Sequence, residues 1–286
     1  MKRIVFTSII LAFALCACNK EQKPQAAVSD EIRFNICYPT KATATNFESG
    51  DAVSLFAVEY NGEDVAPVQV GGNYINNEKL SYNGSAWTPA RTLYWSANPC
   101  DFYALYPYRE MSTVDALPFE VASDQSAEGY EQSDLLYAKT ERVSRNESGV
   151  TLQFKHILSK LRVNIVKGEA FEGEIPDDIV VHVYNTNVEC FLSMNTGSVE
   201  KNAMGAKKTI TMKKINNQQF EAVLVPQNIE KKTPLIEVSM GGIAYLLEYS
   251  ISFRAGYCHN VDLTLNTSPD QEQIEISIDP GEEGWE

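Results

Sequence analysis

The chain has 286 residues, 44% hydrophobic and 22% charged, and its 38 acids against 24 Lys and Arg give a formal net charge of −14. Such proportions belong to a folded globular protein and exclude a disordered one. The acidic balance, with no basic cluster interleaved with aromatics, excludes nucleic acid as a partner.

Lys2 and Arg3 lead into a largely apolar run over 4–15, closed by Leu15-Cys16-Ala17-Cys18. The run is too short to span a bilayer, which takes about 20 apolar residues. A basic start, a short apolar stretch and a small residue before a cysteine are the order of a bacterial lipoprotein signal. Cleavage is expected after Ala17, leaving Cys18 as the lipid-bearing N-terminus; Cys16 follows bulky Leu15 and does not fit. Residues 1–17 are therefore read as a signal peptide, and 18–29, polar and without apolar period, as the lipidated N-terminus and a tether. Losing Lys2 and Arg3 deepens the negative charge by two, so attachment to the membrane rests on the lipid alone.

From Glu31 the sequence alternates, with Ile32, Phe34, Ile36 and Tyr38 set against Arg33, Asn35 and Cys37. Period two marks a strand with one buried face. The same signal predicts strands over 53–58, 79–82, 86–88, 100–106, 134–138 and 150–154. Asn83-Gly84 suits a type I′ turn, in which both residues take positive φ. Further strands are predicted over 161–166, 179–184, 190–194, 209–212, 220–225, 235–240, 243–249, 257–265 and 274–278, with Gly241-Gly242 as a second hairpin turn. No stretch sustains a 3.6-residue period, and 156–160 could form a helical turn or two at most. Many short strands with closely spaced turn signals predict an all-β protein built of β-sandwiches. The polar stretch 141–149 is the weakest for regular structure and divides the chain into domains at 30–148 and 149–286.

Chemistry-bearing constellations are missing from the sequence. His156, His182 and His259 lie on separate segments without paired ligand spacing, and there is no nucleophile elbow, phosphate loop or dinucleotide fingerprint. Neither enzyme activity nor a metal or cofactor is expected. Cys37, Cys100, Cys190 and Cys258 have no short pairwise spacing; disulfides are open to them in an exported protein, but their apolar, strand-like surroundings favour buried free thiols. Trp87, Tyr94, Trp95, Tyr103, Tyr106 and Tyr108 allow two readings. Core packing on strands is one; a stacking platform for a sugar is the other, which makes the chain a glycan-binding surface lipoprotein that does not polymerise.

Six motifs follow one another in order: Phe47-x-x-Gly50-Asp51-x-Val53-x-Leu55-Phe56-Ala57, Tyr94-Trp95, Phe102-Tyr103-Ala104-Leu105-Tyr106-Pro107-Tyr108, Asp124-Gln125-Ser126, Ser133-Asp134-Leu135-Leu136-Tyr137-Ala138 and Leu152-x-Phe154-x-His156-x-x-Ser159-Lys160-Leu161-x-Val163. Together they resemble the fimbrillin-like lipoproteins of Bacteroidetes over residues 30–165. The resemblance implies two tandem transthyretin-like β-sandwiches and a structural role in surface fimbriae that contribute to adhesion, with other fimbrial subunits, host or bacterial surface ligands, and the outer membrane as partners. It also implies an assembly route, in which a trypsin-like protease cuts after the first strand and a neighbour's strand fills the groove left behind.

On that route the displaced strand is Ile32, Phe34, Ile36 and Tyr38, and the candidate cuts are Lys41, in the loop after it, and Arg33, inside it. Ile274, Ile276 and Ile278, alternating with polar residues near the C-terminus, form a candidate donor strand. The same pattern also suits an ordinary closing strand of the second sandwich.

Overall fold

The structure, a computed structural model, describes residues 30–38, 46–266 and 276–285. Cys18, Lys41 and Ile274 lie outside these described residues. The first half begins with β1 (Phe34–Cys37), β2 (Ala52–Asn61), β3 (Asp64–Val65), β4 (Ile75–Tyr82), β5 (Trp87–Pro89) and β6 (Cys100–Tyr106). It continues with β7 (Leu117–Glu120), a helical turn α1 (Gly129–Gln132), β8 (Leu136–Val143), β9 (Val150–Gln153) and β10 (Lys155–His156). Seven of these strands form one sheet, in the order β10-β8-β6-β2-β4-β5 with β3 paired to β2 off this path.

Both faces of that sheet are covered. Along β2, Val53, Leu55 and Ala57 enter one core while Phe56 and Val58 enter another, and in β6 Phe102 and Ala104 are opposed in the same way to Tyr103 and Leu105. Double burial is why these strands read as near-continuous apolar runs rather than strict alternation. One face is roofed by β1 and β9, which pair in parallel with Phe34 opposite Val150 and Ile36 opposite Leu152. The other face joins the large core shared with the second half.

That half comprises β11 (Ser159–Lys167), β12 (Val180–Asn187), β13 (Glu189–Leu192), β14 (Val199–Lys201), β15 (Lys207–Thr211), β16 (Lys213–Asn216) and β17 (Gln219–Leu224). After them come β18 (Gln227–Ile229), β19 (Pro234–Met240), β20 (Ile243–Glu248), β21 (Ile251–Phe253), β22 (Tyr257–Leu265) and β23 (Ile276–Gly284). A five-stranded sheet, β16-β17-β11-β22-β23, and a four-stranded sheet, β15-β12-β19-β20, supply the same apolar layer. Leu161, Val163, Phe220 and Val261 come from the first, Val181, Ile236 and Val238 from the second. Two sheets over one core make the sandwich that the sequence predicts. Strands on either side of residue 148 also share sheets: β9 with β1, β10 with β8, and β7 with β13.

Local chemistry departs from expectation in three places. Gly84 takes φ 93° while Asn83 stays out of the positive region, so the hairpin there is not type I′. Asn83 Oδ1 instead accepts the N–H groups of Ser85 and Ala86 at 2.9 Å each, a side chain standing in for a backbone turn. Gly241 and Gly242 both have positive φ, 56° and 79°, as that turn type requires. Residues 156–160 are taken up by β10 and β11, and the helical turn falls at Gly129–Gln132. β23 runs on to Gly284 through Pro280, which is tolerated because β23 is an edge strand.

Gly149 fixes how β1 meets β9. Its φ is +80°, and a Cβ there lies 2.4 Å from the Arg33 carbonyl oxygen, which accepts the Val150 N–H at 2.8 Å. Gly149→Ala should therefore cost about 1–3 kcal/mol through backbone strain alone and push β1 outward. Urea unfolding checks this, and an unchanged midpoint contradicts it.

Candidate assembly site

Among the described residues β1 forms a continuous ladder along one edge. β9 supplies that ladder. On the other side the attachments are at its start, where Ile32 N–H donates to Leu93 O at 2.9 Å and Trp95 N–H to Asp30 O at 2.8 Å. Beyond them a cleft of about 790 Å³ lies between β1 and the hairpin at 82–87, walled by Phe47 and Trp87. Ile32 and Phe34 are 6% and 9% exposed, Ile36 and Tyr38 are half-buried against the same core, and Arg33 and Asn35 face solvent. Burying apolar side chains of this size contributes about 1.5–3 kcal/mol each. With β1 gone, the roof of this core is reduced to β9 and its flanks.

The far end of β1 enters a ring cluster centred on Phe47. Tyr38, Trp87, Tyr106 and Phe154 meet the Phe47 ring edge to face, with centroids 5.0, 4.9, 5.3 and 5.9 Å away. Edge-to-face pairs add about 0.5–1.5 kcal/mol each beyond area burial. Phe47, Tyr106 and Phe154 belong to separate sequence motifs, which the fold brings to one spot.

Next to this cluster, Tyr38 O–H donates to Asp134 Oδ2 at 3.2 Å, and Asp134 Oδ1 is 2.9 Å from His156 Nδ1. Asp134 is set just past α1, its N–H bonded to Glu131 O. The indole of Trp285 lies flat on the His156 ring, centroids 3.9 Å apart and planes 10° from parallel. Trp285 is 4% exposed, and its backbone N–H donates to Gly256 O at 2.8 Å. No periodicity points to Trp285, because Pro280-Gly281 interrupts the alternation. The only sequence signal is a lone aromatic after an acidic pair, Glu282-Glu283.

β23 carries Ile276 and Ile278 and pairs with β22 from Ile276↔Leu265 to Tyr257↔Gly284. In this chain it closes its own sheet at the edge. The six aromatics considered for sugar stacking do not assemble. Tyr103 is 3% exposed, Trp95 packs edge-on against Phe102, Trp87 stacks on Tyr82, and among the described ring contacts none joins two of the six.

Cys37, Cys100, Cys190 and Cys258 are free thiols, buried as expected at 100, 190 and 258 but only half-buried at Cys37. Burial pushes Cys100 and Cys190 up to about 12, so neither offers a thiolate nucleophile at neutral pH. His182 Nδ1 lies 3.3 Å from Glu237, and His259 Nε2 accepts the Arg254 N–H at 3.0 Å. The three histidines thus sit in three separate structural settings. No group of three or more His, Cys, Asp or Glu side chains among the described residues is placed to hold a metal.

A family model for fimbrillin-like proteins matches residues 40–280. Among curated protein sequences, none matches the chain. Solved structures share the fold. A candidate cell adhesion protein from Bacteroides uniformis superposes with a TM-score of 0.69 at 22% identity, covering 90% of this chain and 100% of that one. A second, from Bacteroides ovatus, gives 0.66 at 18% identity, over 89% and 96% of the two chains. A fimbrial protein from Bacteroides vulgatus gives 0.56 at 13% identity, over 90% and 99%.

Proposed function

Since the chain belongs to the fimbrillin-like family, we propose that it is a structural subunit of surface fimbriae, exported to the outer membrane as a lipoprotein on Cys18 and assembled by protease-triggered strand exchange. It then contributes to adhesion within a polymer of this and other fimbrial subunits. The seating of β1 supports this reading best: two buried apolar side chains and one continuous ladder hold a short strand over a core that it roofs together with β9. Such a strand is separable, and the apolar face beneath it is a template for another chain.

Lys41 suits the maturation cut better than Arg33. A cut at Arg33 leaves Phe34 and the rest of β1 attached to the body of the molecule, and the core stays covered. The donor is the C-terminal strand around Ile274, Ile276 and Ile278, which must first leave β22. In this reading the chain divides into two sandwiches, 30–148 and 149–286, with β9 and β10 completing the first.

Placing cysteines at Ala86, on the cleft wall, and at position 276 tests the exchange. Disulfide-linked ladders are expected from isolated fimbriae of Ala86→Cys/Ile276→Cys, and monomers alone overturn the donor assignment. The N-terminus of the assembled form should be Ala42; Cys18 there overturns the cut at Lys41.

A further inference from the structure

The first strand and the C-terminal end meet in one chain of contacts: Tyr38 to Asp134, Asp134 to His156, and His156 to Trp285. We propose that this chain makes Tyr38 and Trp285 positioning residues for assembly, so that departure of β1 loosens the seat that holds β23 against its own sheet. The inference rests on the strand-exchange reading above and adds an order of events to it.

Each link has a physical reason. The Tyr38 hydroxyl occupies one oxygen of Asp134 while the other oxygen holds His156 Nδ1. The Tyr38 ring also stands edge-on to the imidazole, centroids 6.0 Å apart. His156 therefore meets Tyr38 ring to ring and again through Asp134, with its face left to receive the Trp285 indole. Trp285 directly follows β23, so its seat fixes the end of a strand that, among the described residues, pairs with β22 at the edge of its sheet. Take Tyr38 away and Asp134 loses a donor while His156 loses a ring neighbour. The imidazole then has room to turn, and the stack that anchors β23 weakens. A subunit with β1 in place accordingly keeps its own C-terminal strand parked, and one that has lost β1 offers both an open groove and a freer strand.

Hydrogen exchange on the full chain tests the coupling, because amide protection follows the local opening equilibrium. The described contacts of Tyr38 run to Asp134, His156 and Phe47, so Tyr38→Ala reads the relay and Trp285→Ala the seat itself. Both are expected to speed exchange of the β23 amides about three- to tenfold, the scale of one or two lost aromatic contacts, while β11 and β17 stay at the parent rate. The Tyr38→Ala/Trp285→Ala pair should give little more than either alone, since coupled residues are non-additive. Tyr38→Phe, which keeps the ring and removes the hydroxyl, covers the case of a poorly folding Ala variant and should give a smaller increase in β23 exchange. Unchanged β23 exchange in both Tyr38 variants overturns the proposal, as does an equal rise in every strand. If β23 loosens as expected while the Ala86–276 crosslink never forms, the strand-exchange reading fails and the coupling stands.

Discussion

Glu221→Ala is expected to destabilise the chain by about 3–5 kcal/mol, the cost of leaving a buried charge without its partner. Glu221 is 1% exposed and Lys160 is fully buried. The carboxylate accepts Arg162 Nε–H at 2.8 Å and the Tyr130 hydroxyl at 2.7 Å, and its Oε2 lies 3.9 Å from Lys160 Nζ. Among the described residues Lys160 Nζ has no hydrogen-bond partner, and it sits over the Trp285 ring, 5.2 Å from its centroid. Burial already holds the Lys160 pKa below the usual lysine value, and Glu221 is the main influence raising it again.

The sign of the pH dependence follows. With the folded-state pKa lowered, the unfolded chain binds the extra proton, so this group's contribution to stability rises with pH between that lowered value and the ordinary 10.5. Loss of Glu221 widens the window downward, and the deficit of the variant should shrink as pH is raised. Lys160→Met keeps similar volume without the charge and should stay within about 1 kcal/mol of the parent or exceed it. Urea midpoints for both variants at two pH values decide the matter; a Glu221→Ala midpoint near the parent's removes the argument.

Gly197→Ala should cost about 2–6 kcal/mol, summing left-handed strain and overpacking. Gly197 has φ +68°, and a Cβ there lies 2.3 and 2.4 Å from two carbons of the Tyr137 ring. That ring cannot swing aside: Tyr137 is 1% exposed, and its hydroxyl donates to Met194 O at 2.8 Å. Gly241→Ala is the matched control, with φ +56° and open space around the new methyl, so strain alone should cost about 1 kcal/mol. Equal thermal shifts in the two variants contradict the steric account. Tyr137→Leu placed beside Gly197→Ala should recover part of the loss.

Strands were legible in the sequence wherever β-branched and aromatic residues clustered, and β1, β19, β20 and β22 fall on the predicted runs. Their partners were not. The β7 run, Leu117-Pro118-Phe119-Glu120, is short and carries a proline, so nothing local marks it as a neighbour of β13. The period-two signal expected over 53–58 and 100–106 does not separate a buried from an exposed face in β2 and β6, because both faces of these strands enter a core. The aromatics considered for sugar stacking were ambiguous for the same reason: a ring buried between layers and a ring on a platform have identical sequence neighbours. His156 and Asp134 stood out only as members of motifs. Their convergence with Tyr38 and Trp285 needed the tertiary contacts.

The parallel pairing of β1 with β9 has a consequence for any filament built by replacing β1. A substitute that adopts the same ladder must travel in the direction of β9, and a one-residue slip points its large side chains away from the core. Every junction then has the same sense, so the growing fibre has two unlike ends, and a subunit whose slot stays shut marks one of them as a terminus.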